Sequence, residues 1–246
     1  MQNVCPNCGK KVDNSWRYCP FCGFPLVEEE KALYYVLKAR DMKSRGKLKD
    51  AIAYCEKALK YDKDEFVHKN LGEAYYLMGV LNKSIYHLRK AIKIKEDFAD
   101  AHYTLGIAYY RSGMLEEAVE ELERTIELNE EFVMAYYWLG IAHYHMGNFE
   151  KAIEYYKIVL SKNPESAIAN YHIGIALNAL GNFEEAIEYF KKMTKIDPNH
   201  ASLFYHLGYA YFMTHHIKEA KEILKKALQI NPDDARAKEL MNLLSE

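Results

Sequence analysis

Residues 136–164 read YYWLGIAHYHMGNFEKAIEYYKIVLSKNP. Gly140 and Gly147 in this stretch each recur with a period of 34 residues, except that the first unit is one residue short. A fixed period of this length, in a chain rich in helix formers, indicates an internal repeat of one helical hairpin per unit. The first glycine set is Gly72, Gly106, Gly140, Gly174 and Gly208, and the second is Gly46, Gly79, Gly113, Gly147 and Gly181.

The two glycine sets predict two different structural features. Helices packed at about 8 to 10 Å need a residue without bulk where their backbones approach most closely, and the set of Gly140 supplies it. The set of Gly147 falls where the first helix of each unit ends, and a left-handed residue costs little there without a Cβ. His215 stands in this position in the last repeat, which predicts a slightly strained, exposed turn.

The pattern resembles the tetratricopeptide repeat family. The resemblance implies an all-α fold, a right-handed α-solenoid of six helix pairs with a C-terminal capping helix. Repeat one departs from the pattern, because it is one residue short and has Ala39 in place of the first glycine. The matching residues are Tyr136-Tyr137-Trp138-Leu139-Gly140-Ile141-Ala142-His143-Tyr144, Gly147-Asn148-Phe149, Ala152 and Asn163-Pro164. We expect a domain at 28–246 with repeats at about 32–64, 65–98, 99–132, 133–166, 167–200 and 201–234 and a capping helix at 235–246.

A separate module is predicted at 1–27, where four cysteines form two similar motifs. These motifs are Cys5-Pro-Asn-Cys8-Gly and Cys19-Pro-Phe-Cys22-Gly. Two residues between thiolates let one tight turn present both sulfurs to one ion, and two such turns complete a tetrahedral site. The motifs resemble the small zinc-ribbon family over about residues 4–26. We expect Cys5, Cys8, Cys19 and Cys22 to hold one structural zinc, with Trp16, Tyr18 and Phe21 packed around it.

Other chemistries of the four cysteines fit less well. A disulfide framework needs an oxidising compartment, and the chain begins without an export signal. A thioredoxin-like redox pair needs a surrounding βαβ domain, for which this segment is too short. A catalytic zinc needs an open coordination position, which four thiolates do not leave. Iron in a rubredoxin-like site stays as the alternative metal, although the interval between the motifs is shorter than we expect for that fold.

Composition narrows the classes of function. The chain has 246 residues, 50% hydrophobic and 28% charged, with a formal net charge of -2, which is typical of a globular protein and gives no reason for wholesale capture of nucleic acid. No apolar run approaches the roughly 20 residues of a membrane span, so we expect none and a cytoplasmic location. The two repeat sets, Gly9 and Gly23 account for all 12 glycines, leaving none for a phosphate loop. With no nucleophile and base pair either, the chain is predicted not to be an enzyme.

The family resemblance also implies a partner-binding surface. In the family the first helix of each repeat lines a concave face, through its second, fifth, ninth, twelfth and thirteenth positions. Lys69 is followed by Glu73 where the family's carboxylate clamps carry an amide, so no such clamp is expected. The predicted groove residues are Lys69, Tyr76, Tyr103, Ile107, Tyr110, Tyr137, Ile141, Tyr144, Tyr171, Ile175, Tyr205 and Tyr209. This aromatic and aliphatic set suits an amphipathic helix or an extended apolar segment of a partner.

Two hypotheses of function follow from these patterns. In the first, the protein is a scaffold or adaptor that binds a protein or peptide in the groove, while the ribbon caps repeat one or adds a second contact. In the alternative, the ribbon contacts DNA or RNA and the repeats recruit a second factor. The ribbon carries only three cations, Lys10, Lys11 and Arg17, against Asp13, which is a weak footprint for a dedicated nucleic-acid binder.

Overall fold

The computed structural model describes residues 4–13 and 15–245. Two isolated antiparallel bridges, Val4 with Lys11 and Tyr18 with Pro25, form the N-terminal ribbon, and a short 3-10 helix spans Glu28–Glu30. Across the described residues the rest of the chain is α-helical. The helices are α1 (Lys31–Ser44), α2 (Leu48–Ala58), α3 (Glu65–Leu77), α4 (Leu81–Ile94), α5 (Ala99–Arg111), α6 (Leu115–Leu128), α7 (Val133–His145), α8 (Phe149–Lys162), α9 (Ala167–Leu180), α10 (Phe183–Ile196), α11 (Ala201–Met213), α12 (Ile217–Ile230) and α13 (Ala235–Leu243).

The helices belong to two compact units, Met1–Asn129 and Glu130–Glu246. The first unit holds the ribbon and α1 to α6, the second holds α7 to α13, and within each unit every helix packs on the next. The predicted fold class, six helix pairs of the tetratricopeptide type followed by a capping helix, is confirmed. The expected module start at residue 1 and capping-helix end at residue 246 lie outside the described residues. The domain boundary between residues 27 and 28 stays a prediction.

The first glycine set marks the closest contact inside each helix pair. A Cβ on Gly140 would lie 2.4 Å from Cε1 of Tyr156, and one on Gly174 would lie 2.4 Å from Cε1 of Phe190. Real Cβ atoms do not approach other heavy atoms this closely, and both rings are fully buried. The predicted close approach is therefore confirmed, and the second helix inserts a large side chain into the space that glycine leaves.

The second glycine set ends the first helix of each of the first five repeats. These glycines have φ between 72° and 81°. The N–H of the residue after each glycine donates to the carbonyl of the residue five positions earlier, which closes the end of the helix. The Asn148 N–H, for example, donates to the His143 carbonyl at 2.9 Å. Among the described residues His215 is the only non-glycine with positive φ, at 62°, and the His216 N–H still donates to the Tyr211 carbonyl at 2.9 Å. The strained turn predicted at His215 is present.

The ribbon packs on the first helix of repeat one. Phe24 is buried, and its ring meets Tyr34 and Tyr35 edge-on, with ring centroids 5.1 and 5.9 Å apart. The Arg17 guanidinium forms an ion pair with Glu30 at the start of α1. The ribbon thus covers apolar surface of α1 that a preceding repeat would cover elsewhere in such an array.

We expect Gly140→Ala to destabilise the protein by about 1 to 3 kcal/mol, because the new Cβ overlaps the buried Tyr156 ring. In a Tyr156→Ala background the same change should be neutral or stabilising by up to about 1 kcal/mol, since alanine is the better helix former once the ring is gone. Urea unfolding of the four proteins measures this coupling. An equal cost of Gly140→Ala in both backgrounds would contradict the assigned contact.

Candidate metal centre and interaction surface

The two cysteine motifs fold into equivalent turns. In the first, the Cys5 N–H donates to the Lys10 carbonyl at 2.8 Å, and the Gly9 N–H donates to the Cys5 carbonyl at 2.9 Å. The second turn repeats both bonds at 2.8 Å with Cys19 in the place of Cys5. Gly9 has φ of 70°, a left-handed conformation that glycine adopts without strain. The backbone therefore sets the four sulfurs in place from two copies of one turn.

The four sulfurs come together as one donor set. All lie within 4.8 Å of one another, and the Cys5 to Cys22 and Cys8 to Cys19 sulfur distances are both 3.7 Å. A tetrahedron of metal–sulfur bonds of about 2.3 Å places its sulfurs about 3.8 Å apart. Cys5 and Cys19 are buried, whereas Cys8 is exposed. The geometry fits a closed four-thiolate metal site at the surface of the ribbon.

The electrostatics of the thiols show why such a set needs a cation. The backbone hydrogen bond at Lys10 favours the Cys8 thiolate, but desolvation and the neighbouring sulfurs raise the pKa of Cys8 to about 12. A hydrogen bond from the Asn7 side chain, together with the Phe24 backbone and neighbouring thiols, lowers the pKa of Cys22 to about 6. Four thiolates this close would repel one another, so the four thiols do not all ionise together in the absence of a cation. A divalent cation removes this conflict.

The prediction that three aromatic side chains pack around the site is wrong. Trp16, Tyr18 and Phe21 are 40%, 52% and 54% exposed. The buried interior of the ribbon consists of Cys5, Cys19 and Phe24, and the Phe24 ring packs with the α1 tyrosines. A signal for Phe24 was in the sequence, since it is the apolar residue directly after the second turn glycine. Its equivalent after the first turn is a lysine.

The predicted groove residues differ in how much surface they offer. Nine of the twelve are half-buried, whereas Ile107, Tyr137 and Ile141 are buried and contribute to helix packing. The first unit holds Lys69, Tyr76, Tyr103, Ile107 and Tyr110, and the second holds Tyr137, Ile141, Tyr144, Tyr171, Ile175, Tyr205 and Tyr209.

Lys69 is part of an internal charge cluster in the first unit. Its ammonium lies 2.5 Å from a carboxylate oxygen of Glu73, and Lys43 pairs with the other oxygen of the same carboxylate. Desolvation raises the pKa of Glu73, but the two lysines outweigh it and hold the pKa below its usual range. Lys69 therefore neutralises Glu73 within its own helix.

The second position of the first helices supplies exposed apolar residues that were not among the predicted groove residues. Leu33 and Phe66 in the first unit are 61% and 48% exposed, and Met134 and Ile168 in the second are 47% and 48% exposed. The family pattern includes this position in the groove, whereas all the predicted groove residues occupy the fifth, ninth and twelfth positions. The signal was a large apolar residue recurring one helical turn before the fifth position.

Comparison with protein-family models matches both parts of the chain. Models described as tetratricopeptide repeat match residues 103–157, 142–201 and 177–244, and one described as TPR repeat matches residues 72–113. A zinc-ribbon domain model matches residues 4–26. The chain belongs to the tetratricopeptide repeat family.

Solved structures of tetratricopeptide repeat proteins resemble this one. YrrB, described as a TPR protein with an unusual peptide-binding site, is 26% identical over 76% of this chain and 97% of that chain, with a TM-score of 0.68. MamA is 32% identical over 68% of this chain and 91% of that chain, with a TM-score of 0.63. PilF of Pseudomonas aeruginosa, 17% identical over 88% and 99%, with a TM-score of 0.75, shares the fold. A search of curated proteins finds no match.

None of the helices within residues 4–13 and 15–245 of this tetratricopeptide repeat protein has the length and apolar character to cross a membrane.

Histidines pack behind the tyrosines in the second unit. His172 shares a hydrogen bond of 3.1 Å with the Tyr137 hydroxyl and stacks on the buried Tyr156 ring. His206, at the same position of the next repeat, lies against Phe190 and Tyr171. Desolvation, with smaller contributions from nearby positive groups, lowers the pKa of both histidines to about 4. The tetratricopeptide core of this unit therefore holds both rings neutral.

These two histidines predict a loss of stability in mild acid. In the unfolded chain they bind protons near pH 6.5, but in the folded protein only near pH 4, so the free energy of unfolding falls as the pH drops through this window. Urea unfolding measured between about pH 7 and pH 4 gives the free energy of unfolding as a function of pH. We expect this free energy to depend less steeply on pH in the double variant His172→Gln and His206→Gln. An unchanged slope in that variant would assign the acid sensitivity to other groups.

Proposed function

We propose that the protein is a non-catalytic interaction scaffold that binds an apolar or amphipathic segment of a partner protein on the first-helix face of its repeats. The exposed apolar side chains at the second helical position carry the proposal. Isolated exposed apolar residues are common, but these recur at one position in four repeats and adjoin half-buried tyrosines. The peptide-binding site described for YrrB, which matches over most of its length, supports this class of function.

The first unit offers the best-formed contact point. A depression of about 340 Å³ lies between α1 and α3, and its apolar walls are Leu33, Val36, Leu37 and Phe66. Leu33 and Leu37 are four residues apart on one helix face and are both more than half exposed. A large apolar side chain of a partner helix fits such a depression, since burial supplies the binding free energy. The exposed Arg40, which also lines the depression, can bind polar atoms of the partner.

The second unit offers a flatter aromatic surface. Met134 and Ile168 are exposed at the start of α7 and α9, and Tyr171 and Tyr205 lie half-buried further along the face. The Arg236 guanidinium stacks over the Tyr205 ring, with 4.4 Å to the ring centroid, and also pairs with Asp234. Tyrosines held in this way lose little conformational freedom when a partner binds, which favours their use as contact residues.

Affinity capture from extract of the source cells tests this proposal. We expect the triple variant Leu33→Ser, Leu37→Ser and Phe66→Ser to lose the partner of the first unit, and Met134→Ser with Ile168→Ser to lose that of the second. All five side chains are exposed, so helicity by circular dichroism should not change. The matched control is Ile196→Ser with Ile230→Ser, which removes exposed apolar residues from second helices.

Equal capture by all these variants would exclude the first-helix face as the working surface. The exposed Trp16 and Phe21, the latter with the Lys10 ammonium 4.5 Å from its ring centroid, favour the ribbon as the second candidate site. Aromatic rings interleaved with cations suit single-stranded nucleic acid. Nucleic acid captured by the intact protein and lost with Trp16→Ala and Phe21→Ala would assign the function to the ribbon.

We infer that Cys5, Cys8, Cys19 and Cys22 hold one structural zinc ion. The sulfur separations support tetrahedral thiolate coordination, and four protein ligands leave no position for a substrate. The short ribbon buries little beyond Phe24 and the sulfurs, so the metal supplies much of its stability.

Replacing Cys19 and Cys22 by Ser should remove the metal and detach the ribbon while most of the helical signal remains. Elemental analysis should find about one zinc per intact chain and none in the variant, and the exposure of Tyr34 and Tyr35 to solvent should increase. Cys55→Ser, at the buried fifth cysteine, is the control that keeps the metal. Iron in the intact chain, or loss of the whole helical signal in the double variant, would contradict the inference.

A further inference from the structure

Two second helices of the first unit carry charge of a single predominant sign, and the signs are opposite. Helix α4 contains Lys83, Arg89, Lys90 and Lys93 and no acidic residue. Helix α6 contains six glutamates and one arginine, Arg124. The other second helices, α2, α8, α10 and α12, each mix both signs. The segregation therefore belongs to α4 and α6 and is not a general property of the repeats.

The opposite charges occupy equivalent positions of neighbouring repeats. Adding the repeat period of 34 residues to Lys83, Arg89 and Lys93 of α4 gives three glutamates of α6. Both helices pack on α5, and the buried Tyr109 of α5 interacts electrostatically with residues of both. The two charged faces therefore lie side by side on the same surface of the unit. The three equivalent pairs are Lys83 with Glu117, Arg89 with Glu123, and Lys93 with Glu127.

The cations of α4 are not neutralised within the described part of the chain. None of the four forms an ion pair there, while Lys83 lies over the Tyr75 ring and Lys90 over the Tyr86 ring, at 5.2 and 5.6 Å from the ring centroids. Tyr86 is 56% exposed in the middle of this face. A depression of about 350 Å³ beside it is lined by Ile85, Tyr86 and three of the cations. This arrangement suits a carboxylate-bearing surface.

We propose that this face binds a second copy of the chain, so that α4 of each copy lies against α6 of the other. Short connections make successive helices antiparallel, so α4 and α6 run in the same direction. Consider a two-fold axis that runs parallel to these helices, just outside the surface and above the line midway between them. Rotation about this axis places α4 of each copy opposite α6 of the other copy. Equivalent positions then meet at the same level, and Arg89 faces Glu123 of the partner subunit while Lys93 faces Glu127 of the partner subunit. Each pair forms twice, as an isologous dimer requires.

Sedimentation velocity of the intact, metal-loaded protein tests the proposal. We expect a dimer at low salt that dissociates at high salt, because the contact is dominated by exposed charge. The basic-face variant, Arg89→Glu with Lys93→Glu, and the acidic-face variant, Glu123→Lys with Glu127→Lys, should each dimerise at least about tenfold more weakly. The matched control is Lys191→Glu with Lys195→Glu, the same positions of the mixed-sign helix α10, which should dimerise as the unchanged chain does.

Mixing the two face variants distinguishes this contact from general charge effects. In the mixture positions 89 and 93 of α4 again face positions 123 and 127 of α6 with opposite sign, so a heterodimer should form at a concentration at which each variant alone is mostly monomeric. The protein with all four changes should also regain its dimer. A monomeric unchanged chain at low salt, a dimer that survives both reversals, or mixed variants that stay monomeric would each overturn the proposal. Loss of dimer in the basic-face variant alone would also overturn it, because the acidic face would then not be the occupant.

Discussion

Repeats two to six depend on one close contact, in which a glycine of the first helix leaves space and the second helix inserts a large side chain. In repeat four the contact joins Gly140 to Tyr156. In repeats two, three, five and six the inserted side chain is a leucine or a phenylalanine. Because the inserted side chain is fully buried, it fixes both the separation of the two helices and their rotation about their axes. In repeats two to six, the exposed residues of the first helices lie on helices whose orientation is set in this way. The same contact recurs with the repeat period, so a local packing constraint determines the presentation of the surface.

Helix pairs and turns could be predicted from the sequence because each depends on a residue with few alternatives. The positive φ of Gly147 and its equivalents restricts the residue type, and even the exception at His215 adopts the expected conformation. The cysteine cluster was predictable for the same reason, since two short spacings leave little freedom to the sulfurs. The turns themselves are local, because the hydrogen bonds that close them join residues no more than five positions apart.

Features that involve several elements were harder to predict. The ribbon interior is filled by Phe24 instead of Trp16, Tyr18 and Phe21, because the choice depends on which residue the second turn directs toward α1. Tyr137 and Tyr171 occupy the same repeat position, yet one is buried and the other half-buried. The exposure of a side chain depends on its neighbours on adjacent helices, and a single-repeat pattern does not specify these neighbours. Surface exposure, and with it the choice among groove residues, therefore needed the three-dimensional contacts.

The contact of Phe24 with Tyr34 and Tyr35 has a consequence for the order in which parts of the protein fold during synthesis. The ribbon precedes the repeats in the chain, so it leaves the ribosome before α1 does. With the proposed metal bound, the ribbon offers a folded apolar surface on which the first helix can pack, and each later helix then packs on the helix before it. A cell short of the metal would begin the array without its template, with two tyrosines exposed at its first edge during synthesis.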